Sequence, residues 1–139
     1  MSTPISQLAP RRGEIYWAEL PELESVGSEQ RGRRPVLVMS EVLIVSVDNV
    51  NKDVPICVIV PLTGVITKTP RQFRIRIPQS EKIDEPGTSG CPGDSLALTE
   101  QIRCISVSRL DKRKGKVAQV TPQAIAAVEA GIKYVLKLP

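Results

Sequence analysis

The 139 residues carry a net charge of +4, with 41 % hydrophobic and only 3 % aromatic residues. Val, Ile and Leu must therefore fill a single core, and a β-rich domain is expected. With no histidine and three cysteines that form no C-x-x-C pair, a disulfide framework, a structural zinc site and histidine-based cleavage are all disfavoured.

The first residues, 1–11, read as a short flexible leader without an apolar signal core, and residues 12–139 as one domain. No apolar run approaches the roughly 20 residues that a membrane span needs. A cytoplasmic protein is expected. Glu14–Leu20 is apolar on both faces and stopped by Pro21, which predicts a buried strand. A polar loop follows, holding Ser28, Glu29, Gln30, Arg31, Arg33 and Arg34 ahead of a second apolar strand, Pro35–Met39. Rigid strands on either side hold such a loop's hydroxyl, carboxylate, amide and guanidinium groups in place, which suits polyanion chemistry. Val42–Val47 fits a strand or a short helix, and Asp48–Asp53 a polar turn.

Ile56–Leu62 is a continuous apolar run of strand length. In Arg71–Ile77 the residues alternate, with Phe73, Ile75 and Ile77 on a core face and Gln72, Arg74 and Arg76 on a wet, cationic one. Gln79–Gly93 is rich in Pro, Gly, Ser and acids and reads as a surface loop. Further short strands are expected at Ser95–Leu98, Ile102–Val107 and Lys116–Gln119. Then the period changes. Thr121 is a good N-cap and Pro122 suits the first helical position, while Ile125, Val128, Ile132, Val135 and Leu136 form an amphipathic stripe. A small, bent antiparallel sheet or barrel closed by a C-terminal helix is the expected architecture.

The charge is uneven. Lys68, Arg71, Arg74 and Arg76 crowd a stretch without acids, and five basic residues between Arg109 and Lys116 face only Asp111, which reads as a solvated turn. Arg34 stands before Pro35, so its backbone is held extended. A guanidinium there forks onto two phosphate oxygens, or else forms a surface ion pair with Glu29 or Glu24. Thr63 and Gly64 end a strand as an ordinary turn would. Glu100 and Arg103 could read nucleobase edges or simply pair with each other.

Four stretches together resemble the MazF/PemK family of toxin endoribonucleases: the opening R-G-E-I-Y at 12–16, the loop G-S-E-Q-R-G-R-R-P at 27–35, the strand end P-L-T at 61–63 and L-T-E-Q-I-R-C-I at 98–105. The resemblance implies a mainly β fold with α, an SH3-like barrel, and metal-independent, cofactor-free cleavage of single-stranded RNA at specific sequences. It implies catalytic roles for Arg34 and Thr63, with Glu29 as candidate proton acceptor. Ser28, Gln30, Arg33, Phe73, Arg74, Glu100, Gln101 and Arg103 would contact RNA. It also implies a homodimer sharing an RNA groove and an antitoxin whose acidic tail fills that groove. A fold-related gyrase-poisoning toxin and a non-catalytic RNA-binding barrel are the alternatives. The family pattern makes residues 79–93, with Cys91, look like an insertion ahead of the E-Q-I-R element.

Overall fold

Strand β1, Glu14–Leu20, carries apolar side chains on both faces because both faces are buried. Ile15 and Trp17 join one core cluster, and Tyr16, Ala18 and Leu20 join another. The computed structural model describes residues 10–20, 32–43, 55–64 and 72–139, and only the backbone of 32–34, 40–43 and 55. The expected strand Pro35–Met39 lies inside a longer one, β2 (Gly32–Leu43), while most of Val42–Val47 and the turn at 48–53 fall outside the described residues.

β2 pairs antiparallel with β1 (Ile15 opposite Leu37, Leu20 opposite Gly32) and with β3, Pro55–Thr63. The β2–β3 register shifts between Val38 and Ser40, the one-residue irregularity by which a sheet bends. β3 then serves two partners along its other edge. Its first half pairs with β7 (Arg103–Ser106), and its end pairs with β6 (Ser95–Leu98). β4 (Arg74–Ile77) adds to β6, β8 (Ala118–Val120) adds to β1, and β5 (Lys82–Asp84) adds to β8. The sheet order is β4-β6-β3-β2-β1-β8-β5, with β7 on β3. This is the mainly β, nearly closed barrel that the sequence predicts.

Helix α1, Pro122–Leu136, closes it as expected. Thr121 Oγ1 accepts from the Ala124 amide at 3.2 Å, satisfying one of the open amides of the first turn. Its buried residues are Ala124, Val128 and Gly131, whereas Leu136, expected in the stripe, is 52 % exposed. Gly131 explains the rotation. A Cβ there would stand 3.1 Å from Ile75 Cγ1 and 3.1 Å from Thr99 Cγ2, so the helix meets the sheet backbone-first at that turn.

The segment Gln79–Gly93 is more than the surface loop expected. It contains a 3-10 turn at Gln79–Glu81 and the whole of β5. Lys82 is buried, and its ammonium donates to the carbonyls of Cys91 (3.1 Å) and Gly93 (2.7 Å) and to Ser95 Oγ (2.6 Å). A three-residue strand shows too little alternation to be read locally. Its pairing comes from β8.

Candidate active site

The β2–β3 ladder ends at the pair Val36–Pro61. Arg34 lies two residues before Val36 and Thr63 two residues after Pro61, so both backbone positions stand at the same end of neighbouring strands. Two residues of strand span about 7 Å. Arg34 is also tied on its other side, opposite Ala18 of β1, and Thr63 is opposite Leu96 of β6. Thr63 is a polar side chain only 2 % exposed at the end of an otherwise apolar strand. The loop carrying Ser28, Glu29 and Gln30 enters β2 at this same end but lies outside the described residues, as do the side chains of Arg33 and Arg34.

The row through Thr63 continues across the sheet. Leu96 pairs with Thr63 on one side and with Arg76 of β4 on the other. Directly opposed residues share a face, so Arg74 and Arg76 belong to the face of Thr63, while Ile75 and Ile77 belong to the core. The predicted alternation is therefore correct, but the cationic face is not bare. Arg74 Nε and Nη2 reach Glu100 Oε2 at 3.0 and 2.9 Å with a side chain 17 % exposed, and Arg76 binds Asp94. The Arg76 hydrogen bond, followed by the Gln79 amide, holds the Asp94 carboxyl below its ordinary value.

The 3-10 turn Thr99–Gln101 connects β6 to β7. It holds Glu100 against Arg74, not against Arg103, so the Glu100–Arg103 alternative fails. The strand geometry explains why: Arg103 starts β7 opposite Ile59, while Arg74 is opposite Leu98, one turn from Glu100. Glu100 Oε1 and the Nε and Nη2 atoms of Arg103 are buried without a hydrogen-bond partner. Buried polar atoms left so cost about 1–3 kcal/mol each. Nε and Nη2 form one edge of the guanidinium, two parallel donors that match a bidentate acceptor. Phe73 is half-buried, its carbonyl accepts from Thr99 Oγ1, and its ring stacks on Tyr134 of α1. Tyr134, which lies off the apolar stripe of the helix and so drew no attention in the sequence, covers Phe73 from the helix side.

The basic residues from Arg109 to Lys116 stay largely exposed, as expected of a solvated turn. Lys114 lies 5.2 Å from the Trp17 ring centroid, and Lys116, hydrogen-bonded to Glu85, has its pKa raised. No helix among the described residues is long and apolar enough to cross a membrane.

Residues 11–136 match the model of the PemK-like, MazF-like toxins of type II toxin–antitoxin systems. The chain is 34 % identical over 104 residues to Endoribonuclease MazF of Staphylococcus saprophyticus, covering 74 % of this chain and 73 % of that protein. Its fold is similar to that of MazF from Deinococcus radiodurans, with a TM-score of 0.58 at 21 % identity over 93 % of this chain and 97 % of that one. It is also similar to a mycobacterial endoribonuclease solved in complex with its cognate antitoxin, with a TM-score of 0.55 at 20 % identity over 94 % of this chain and 98 % of that one.

Proposed function

The chain belongs to the PemK-like, MazF-like toxin family of type II toxin–antitoxin systems, and we propose that it cuts single-stranded RNA by attack of the 2′-hydroxyl on the adjacent phosphate. It is a toxin endoribonuclease whose partner is an antitoxin. Internal cleavage by this route requires three things: loss of the 2′ proton, stabilisation of the pentavalent phosphorane and protonation of the leaving 5′-oxygen. Arg34 supplies the charge and a donor to the leaving oxygen. Its pKa is too high for it to act as base. Thr63 holds a non-bridging oxygen, and Glu29 accepts the proton. The products carry a 2′,3′-cyclic phosphate and a 5′-hydroxyl, and no metal takes part.

The observation that supports this assignment is the convergence of Arg34 and Thr63 at one end of the β2–β3 ladder, next to the entry of the Glu29 loop. Because Thr63 is 2 % exposed, substrate reaches its hydroxyl only when the groups covering it move aside. Ser28, Gln30 and Arg33 act beside the scissile bond in this scheme. Phe73, Arg74, Glu100, Gln101 and Arg103 bind the RNA further from the scissile bond. Two copies of the chain share the RNA groove in the cytoplasm. The antitoxin's acidic tail competes for the groove by neutralising Arg31, Arg33 and Arg34, with charge-assisted hydrogen bonds offsetting its ordering entropy.

Incubating the purified protein with a long RNA in EDTA tests the reaction. Cleavage with 5′-hydroxyl ends is expected. A strict requirement for Mg²⁺, or 5′-phosphate ends, would overturn the 2′-hydroxyl mechanism.

A further inference from the structure

Four aromatic side chains serve the whole chain, and the structure spends two of them on one surface pair. Tyr16 is buried and Trp17 is packed against the core, but Tyr134 leaves 57 % of its surface in water while its ring lies against Phe73, centroids 6.2 Å apart and planes at 26°. Phe73 backs the tyrosine, so the outer face of Tyr134 is the open one. Ala130 and Ala127, one and two turns earlier on α1, are exposed and too small to cover that face.

Both rings sit on rigid supports. Thr99, fully buried, donates its hydroxyl to the Phe73 carbonyl, and the next residue, Arg74, is locked onto Glu100. On the other side, the close approach at Gly131 presses α1 onto Ile75 and Thr99, which sets the height of Tyr134 over Phe73. A planar group arriving at the tyrosine therefore meets a surface already ordered, and little conformational entropy is lost. The flanking charge is of one sign. Lys133 and Lys137 precede and follow Tyr134, both exposed, and neither makes an ion pair among the described residues.

We propose that Phe73 and Tyr134 form a stacking subsite for one nucleobase of a single-stranded RNA, with Lys133 and Lys137 beside its phosphates. The proposal rests on the endoribonuclease reading above and extends the RNA path from the E-Q-I-R turn onto the end of the C-terminal helix. An aromatic face with flanking cations and no hydrogen-bonding frame favours any base. The subsite thus adds affinity without choosing sequence, as stacking platforms on single-stranded nucleic acid do. Its contribution is about 1–3 kcal/mol per stacked base, or about 5- to 150-fold in Kd at 1.4 kcal/mol per decade.

The test uses an uncleavable, 2′-O-methyl oligonucleotide of about ten residues and reads Kd by fluorescence anisotropy. A single abasic site is walked along it, for the wild type, Tyr134→Ala, Tyr134→Phe and Ile83→Ala. Ile83 is exposed on β5, outside the site. The expected result is a loss within that 5- to 150-fold range for Tyr134→Ala, retention by Tyr134→Phe, and no change for Ile83→Ala. At one abasic position the wild type should lose as much affinity as Tyr134→Ala, and the two losses should not add. Equal affinity of Tyr134→Ala and wild type would overturn the proposal, as would a loss undiminished at every abasic position. So would a changed subunit assembly without any change in RNA affinity, which would make the patch a contact for a second copy. Because cleavage plays no part in the readout, an inert wild type that shows the abasic-sensitive dependence on Tyr134 keeps the subsite and removes the nuclease reading. A wild type that binds no RNA overturns both.

Discussion

Replacing Gly131 by alanine sets two effects of known sign against each other. In an exposed helix interior the change gains about 0.8–1 kcal/mol, because glycine has more backbone freedom to lose. Here the added Cβ would stand 3.1 Å from Ile75 Cγ1, 3.1 Å from Thr99 Cγ2 and 3.2 Å from Thr99 Oγ1. Thr99 is fully buried, and its hydroxyl is committed to the Phe73 carbonyl. Rotating it out of the way would break a hydrogen bond worth about 1 kcal/mol net, and moving the helix would open the Val128 and Ala124 contacts. Overpacking of this kind costs about 1–3 kcal/mol. The net expectation is a loss of about 1 kcal/mol, or a Tm lower by about 3–5 °C for a chain of this length. Thr99→Ser removes the Cγ2 methyl and keeps the hydroxyl, so the double variant should recover at least about 0.5 kcal/mol relative to additivity. Urea unfolding of the four members of that cycle measures it. A Gly131→Ala variant more stable than wild type by about 1 kcal/mol, with no coupling to Thr99→Ser, would refute the close-approach argument.

Arg34→Ala and Thr63→Val should each slow RNA cleavage by about 10²–10³, the cost of one preorganised stabilising donor, with unfolding curves that show an intact fold. Arg34→Lys should fail as well, since an ammonium cannot fork across two oxygens. Wild-type cleavage rates in Arg34→Ala would remove that residue from the site. Lys82→Met leaves two buried oxygens, the Cys91 carbonyl and Ser95 Oγ, and the part-buried Gly93 carbonyl without their donor. At about 1–3 kcal/mol for each unpaired group, partly offset by no longer burying an ammonium, a net loss of about 2–4 kcal/mol is expected. An unchanged urea midpoint would show that the ammonium does not hold the 91–95 turn. The Asp94 carboxyl, held low mainly by Arg76, contributes stability above its unfolded pKa and loses it as pH falls through the lower folded value. Asp94→Asn should therefore flatten the acid limb of the stability–pH curve, and an acid limb identical to wild type would argue against the pairing.

Features that depend on neighbours along the chain are legible in the order of residues. Alternation in Arg71–Ile77 located β4, two-sided apolarity in Glu14–Leu20 located a strand buried on both faces, and Thr121 with Pro122 located the start of α1. The four motif blocks carried the family, because loop chemistry is written in consecutive residues. The rest follows from contacts between residues distant in the chain. Antiparallel register puts Arg34 and Thr63, far apart in sequence, at one end of adjacent strands. Glu100 is bound to Arg74, where local order suggested Arg103, because β4 and β6 pair and bring Arg74 opposite Leu98. The segment expected as a loop is stapled by Lys82, whose partners lie nine to thirteen residues further on. The helix face is turned by Gly131, a residue whose hydrophobicity says nothing about packing, and that turn leaves Leu136 in water and Tyr134 over Phe73. Periodicity reports which face of an element is apolar. Which side chain that face meets is set by closure of the barrel, a balance of contacts between residues that the chain order keeps apart.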